Sequence, residues 1–108
     1  MFGAGRIAPL HARTLKASSE VSAISITDAV PERAAQLAAE LGLEHVAAVD
    51  AAMDAADAVV IVAATDAHAG LIRAALARDL PTFCEKPLAS TLEESVSLAA
   101  EIGAASAP

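Results

Sequence analysis

Three groups of residues in this chain have the types and spacing that chemistry needs. The first is Gly3-Ala4-Gly5-Arg6-Ile7-Ala8, a G-x-G-x-x-A pattern close to the start. Gly3 can take the dihedrals of a tight turn, and Gly5 has no Cβ to hold the backbone away from an approaching group. Ala8 lets a following helix pack close to a sheet. The helix N-terminus, with Arg6 and Ile7, offers free N–H groups and partial positive charge to an anion. Between a strand and a helix, this turn is the seat of a dinucleotide's pyrophosphate. The second group is Asp28, 20 residues beyond Ala8. In such a fold a carboxylate there accepts hydrogen bonds from the adenosine ribose and repels a 2′-phosphate, favouring NAD over NADP. Its plainer reading is a cap on the turn before Pro31. The third is Glu85-Lys86-Pro87 with Thr65-x-x-His68. Taken alone, Glu85 and Lys86 read as a solvated ion pair worth little to stability, and His68 as an exposed residue near a helix start.

The elements that must position these residues follow from periodicity. Residues 7–17 read as a helix that tolerates Pro9 in its first turn. Residues 21–27 alternate apolar and small polar side chains, as a strand does. Pro31 opens a helix that stops at Gly42, a natural left-handed cap. Residues 44–49 form a short strand, and Asp50 caps a brief helix over 51–54. The aliphatic run 58–63 has the character of a strand buried on both faces. Thr65-Asp66 is expected as a turn, followed by a helix over 67–78. Thr82-Phe83-Cys84 is a strand. Thr91 and Glu94 have the capping-box spacing and open a last helix that frays at Gly103, and residues 104–108 read as the start of a linker. Strands alternating with helices at this rhythm predict one α/β domain over residues 1–108, with a doubly wound parallel sheet.

Composition narrows the function classes. The formal net charge of −7, with no basic run, argues against a nucleic-acid surface. The strongest apolar run is too short for a membrane span, and no signal-peptide pattern is present. A single Cys84 fits a reducing, cytoplasmic setting, where it packs rather than attacks. The three His and one Cys lack metal-ligand spacing; His11 and His45 have no evident partners and are read as structural.

Gly3-x-Gly5-x-x-Ala8, Asp28, Thr65-x-x-His68 and Glu85-Lys86-Pro87 after a strand together resemble the N-terminal domain of the Gfo/Idh/MocA oxidoreductase family. The likeness covers nearly the whole chain, and the wording Thr-Phe-Cys-Glu-Lys-Pro is most similar to inositol 2-dehydrogenases. The resemblance implies a Rossmann-like fold, NAD as cofactor, and oxidation of a secondary alcohol of a polyol or sugar. It implies that Lys86 lies beside the nicotinamide ribose and the reacting hydroxyl as the catalytic cation. Glu85 would fix that lysine and Pro87 would shape its turn. Ala64, Thr65 and His68 would line the cofactor cleft. Asp66 departs from the commoner Thr-Pro pattern, leaving that loop's shape open.

Two shortfalls are also expected. The family's acid–base histidine comes from a second domain, and no Asp-x-x-x-His pattern occurs here. The chain alone is therefore expected to be inactive. Family members commonly assemble through that second domain, so a homo-oligomer stays open. The first strand is cut to Met1-Phe2 where about five residues are usual, so its sheet neighbours are expected to show unpaired edges. Adding upstream residues is expected to raise stability. A non-catalytic nucleotide-binding or redox-sensing module, or an inactive fragment, is the alternative reading.

Overall fold

The computed structural model describes residues 1–105. Along them run α1 (Ala8–Lys16), β1 (Ser25–Ile26), α2 (Pro31–Leu41), β2 (Glu44–His45), α3 (Val49–Asp54), β3 (Val59–Ile61), α4 (Thr65–Leu76), β4 (Thr82–Cys84) and α5 (Leu92–Ala104). β1 pairs with β2 and β3 with β4, both in parallel. Phe2 joins the two pairs, bridging Thr27 on one side and Ile61 on the other. Its N–H donates to the Val60 carbonyl and its own carbonyl accepts from Val62 N–H, each at 2.8 Å. On the opposite side Gly3 N–H donates to Thr27 at 2.8 Å, and Thr27 N–H donates to Met1 at 3.0 Å. The order across the sheet is therefore β2, β1, Phe2, β3, β4, the doubly wound arrangement about a central first strand.

Side chains alternate faces along each strand, and the core splits accordingly. Met1, Ile26 and Val62 pack with Ala8, Ala12, Ala34, Leu37 and Ala38 of α1 and α2. Phe2, Val59 and Ile61 pack on the opposite face with Ala52, Met53, Ile72 and Leu98 of α3, α4 and α5. The aliphatic composition suffices because alanine allows close helix–sheet approach: Ala8, Ala12, Ala34 and Ala75 are wholly buried. Surface ion pairs tie the outer helices, Arg73 to Glu94 and Glu101, and Arg78 to Asp50 and Asp54. Among the described residues no helix is long and apolar enough to cross a membrane.

Several expected boundaries shift. The strand expected over 21–27 is assigned only at Ser25–Ile26, with the Ile24 carbonyl accepting from Glu44 N–H at 3.0 Å and Thr27 as a bridge. Its upstream half has no first-strand neighbour, and extended backbone without a partner makes no ladder. The aliphatic run 58–63 contracts to Val59–Ile61, the residues in register with Thr82–Cys84. The strand at 44–49 stops at His45, because α3 already begins at Val49. Asp50 lies inside the first turn of α3, whose N-cap is Ala48. Thr65 and Asp66 are not a separate turn but open α4, with Ala64 as N-cap. Gly42 takes the left-handed cap, at φ 65°. Thr91 Oγ1 accepts from Glu94 N–H at 3.2 Å. The last helix continues to Ala104, one residue into the linker expected over 104–108, and residues 106–108 lie outside the described ones.

The edges flanking the first strand are closed at one end and open at the other. The Ser25 carbonyl takes the Met1 ammonium, and the Val60 carbonyl takes Phe2 N–H. In a parallel ladder a residue's N–H and C=O leave on the same side. The N–H groups of Ser25 and Val60 therefore face each other across the sheet. Between them lies a cavity of about 330 Å³, walled by residues 21–25 and 55–58.

Candidate functional site

Every residue singled out for chemistry falls at or just beyond the carboxyl end of a parallel strand, where open α/β sheets place their ligands. The glycine turn follows the first strand, Asp28 follows β1, Ala63 and Ala64 follow β3, and Glu85 to Pro87 follow β4. A cavity of about 590 Å³ opens there, lined by Gly5, Arg6, Ile7, Leu10, Asp28, Arg33, Val62, Ala63 and Ala64.

The glycine turn is shaped by backbone contact. Gly3 has φ 106°, and a Cβ built there would lie 2.5 Å from the Ala63 nitrogen and 2.6 Å from the Val62 carbonyl. Gly5 is the reverse case: a Cβ there would meet nothing within 4 Å, so its bare backbone faces open space. Ala8 N–H donates back to Gly5 at 3.1 Å, closing the first turn of α1. Among the described residues, the N–H groups of Gly5, Arg6 and Ile7 have no acceptor. They remain for an anion, with the α1 dipole behind them.

Asp28 caps the turn before α2 and also lies on the cavity wall. Its Oδ2 accepts from Ala4 N–H at 2.6 Å, and its Oδ1 accepts from Val30 N–H at 2.7 Å. It thus ties the glycine turn to the start of α2 while facing the cavity. From α2 the Arg33 guanidinium reaches Asp28 at 3.3 Å and lines the same cavity. The spacing Asp28 to Arg33, across a proline-opened turn, was the available signal. Asp28→Ala is expected to cost about 2–3 kcal/mol in urea unfolding, since two N–H groups lose a charged acceptor. Unchanged unfolding would show that water replaces the carboxylate.

The turn after β4 is anchored from three sides. Glu85 N–H donates to Ile61 at 2.9 Å, fixing the exit of β4 against β3. Glu85 Oε1 lies 2.8 Å from His11 Nε2, and Oε2 accepts from Lys86 N–H at 3.3 Å. The His11 contact, followed by Lys86 N–H, holds the Glu85 carboxyl below the usual carboxylate range. The Lys86–Pro87 peptide bond is cis. Lys86 is exposed, and among the described residues no carboxylate lies within 4 Å of its ammonium. The surface ion pair read from adjacency does not form, because Glu85 turns to α1 instead. Burial, with Glu85 second, pushes the Cys84 thiol up to about 11, so it packs as a neutral group.

His68 is 1% exposed. Its Nδ1 lies 2.9 Å from the Pro87 carbonyl and its Nε2 3.0 Å from the Ala63 carbonyl. Both ring nitrogens are thus engaged by backbone, and the ring braces the cleft from behind. The exposed-residue reading fails for a packing reason: α4 begins at Thr65, which turns His68 inward. Thr65 is half-buried at the start of that helix, and neither residue lines the cavity. His11, read from sequence as merely structural, is a partner of this turn. Its position one helical turn beyond Ala8 was the only hint.

A profile of the oxidoreductase family with NAD-binding Rossmann fold matches residues 1–106. The chain is 38% identical over 90 residues to the inositol 2-dehydrogenase of Rhizobium meliloti, covering 82% of this chain and 27% of that protein. The crystal structure of a myo-inositol dehydrogenase from Corynebacterium glutamicum superposes with a TM-score of 0.82 at 36% identity, over 94% of this chain and 31% of that one. The myo-inositol dehydrogenase of Lactobacillus casei, solved with NAD(H) and myo-inositol, gives a TM-score of 0.86 at 25% identity, over 97% and 32%. The chain thus spans about a third of the length of these relatives.

Proposed function

Because the chain belongs to the Gfo/Idh/MocA oxidoreductase family, we propose that it is the NAD-binding part of a dehydrogenase acting on a secondary alcohol of a polyol or sugar, with inositol as the first candidate. The observation that carries this reading is the free Lys86 ammonium at the same sheet end as the open glycine turn. The residues present fit the cofactor: unpaired N–H groups at Gly5, Arg6 and Ile7 suit a pyrophosphate. Asp28 faces the cavity where an adenosine ribose would lie, with Ala64 further along its wall. NAD, when bound, supplies the hydride acceptor.

The chain's own contribution is to hold, orient and polarise. Lys86 would donate to the substrate hydroxyl oxygen and stabilise the negative charge that grows there as the carbon loses hydride. Glu85 and Pro87 would set the height of that ammonium above the sheet. His68 would serve from behind the wall rather than by contact, and Thr65 as the first residue of the helix that carries it. The Asp28 carboxylate disfavours a 2′-phosphate, and Arg33 beside it is already paired with it. NAD is therefore preferred over NADP in this reading.

The chain has no Trp or Tyr, so the fluorescence of added NADH reports binding without protein background. Saturable NADH binding, tighter than that of NADPH, is the expected result; no saturable signal would sink the nucleotide reading. The reaction is read in a chimera in which residues 1–105 replace their counterpart in the Rhizobium meliloti enzyme. Inositol-dependent NADH formation should appear and should fall at least about a hundredfold in Lys86→Ala, the scale of removing one preorganised charge-stabilising donor. Equal rates in the two chimeras would exclude Lys86 from the chemistry.

A further inference from the structure

We propose that His11 is a positioning residue for Lys86: by taking up the Glu85 carboxylate, it keeps that charge off the neighbouring ammonium. The inference rests on the reading of Lys86 as the nicotinamide-side cation. Adjacent Glu and Lys on an exposed turn pair readily unless another partner competes. Here the competitor is specific. His11 Nε2 sits 2.8 Å from Glu85 Oε1, and because a carboxylate only accepts, that nitrogen carries the hydrogen. The imidazole is itself held, tilted at 47° against the Phe83 ring with centroids 5.6 Å apart. The other Glu85 oxygen is occupied by Lys86 N–H at 3.3 Å. Both oxygens are thus turned toward α1 and the backbone, and the ammonium is left without a carboxylate among the described residues. The far side of the turn is fixed separately, through the Pro87 carbonyl and His68. Glu85 is the carboxylate adjacent to Lys86 in the chain, and His11 decides where it points.

His11 also belongs to α1, the helix that directly follows the open N–H groups of Gly5, Arg6 and Ile7. The same rigid element therefore sets the anion-binding turn and, about one helical turn later, the state of the lysine. This links the two halves of the cleft through a single side chain.

The test compares NADH with ADP-ribose, which lacks the nicotinamide, by titration of the whole chain. His11→Ala should weaken NADH binding roughly fivefold, the equivalent of about one hydrogen bond, and leave ADP-ribose unchanged. His11→Gln, which keeps a side-chain donor, should recover most of the loss. In a Lys86→Ala background, His11→Ala should have no further effect, because the group it protects is gone. Equal loss of both ligands, the same loss with Lys86 already removed, or no loss at all would each overturn the proposal. A wild-type chain that binds neither ligand overturns the nucleotide reading itself, and this inference with it.

Discussion

Gly3→Ala is expected to abolish the cooperative melting transition of this domain. Its φ of 106° lies where a Cβ is strained, and the added methyl would sit 2.5–2.6 Å from backbone atoms of Val62 and Ala63. Those atoms cannot step aside as a flexible side chain could. Val62 N–H is bonded to Phe2, so any shift also breaks the link between the two strand pairs. Strain and overlap together should cost at least about 4 kcal/mol. A single domain holds only about 5–15 kcal/mol in total, and this one is joined at its centre by two residues. Gly5→Ala is the matched control. A Cβ there meets nothing, so the melt should be unchanged while NADH binding weakens. Circular dichroism reads both, and a cooperative Gly3→Ala melt near the wild-type temperature would contradict the argument.

Extending the first strand should shift stability in the other direction, by about half as much. Four alternating β-branched and small residues placed before Met1 would enter the cavity of about 330 Å³ between the flanking edges. There they would meet the N–H groups of Ser25 and Val60 and the carbonyls two residues earlier in each strand. Four backbone bonds at about 1 kcal/mol each and two buried apolar side chains at about 2 kcal/mol each oppose an ordering cost of about 1.5 kcal/mol per residue. The balance is a gain of about 2 kcal/mol, or a melting temperature higher by roughly 10 °C. Residues 21–24 should then join the ladder, with slowed amide exchange as the local signature. An extended chain that melts with the parent, with those amides still exchanging freely, would show that the slot does not accept a strand.

Local signals carried the fold a long way. The glycine turn, the proline-opened α2, the Gly42 stop and the Thr91 cap each depend on one or two neighbouring residues. The aliphatic run 58–63 marked β3 because burial on both faces needs continuous hydrophobicity. Strand lengths were legible only in part. Whether residues 21–24 form a ladder depends on a partner across the sheet, and hydrophobic alternation carries no information about that partner.

The site divides along the same line. Gly3, Gly5, Asp28 and Glu85-Lys86-Pro87 could be read from the sequence because they lie at strand ends, where a turn's shape and a ligand's approach restrict residue type. The fate of each charge was decided by tertiary structure. Glu85 and Lys86 are adjacent in sequence, yet the carboxylate goes to His11, 74 positions away along the chain. Arg33 turns back onto Asp28, and His68 turns inward between two carbonyls, because helix phase determines which way a side chain faces. Sequence by itself determined that a parallel α/β sheet would present a glycine turn, an acidic strand end and a lysine turn. Only the tertiary structure determined that the lysine has no carboxylate partner among the described residues, since an ion pair depends on which side chains packing brings within reach.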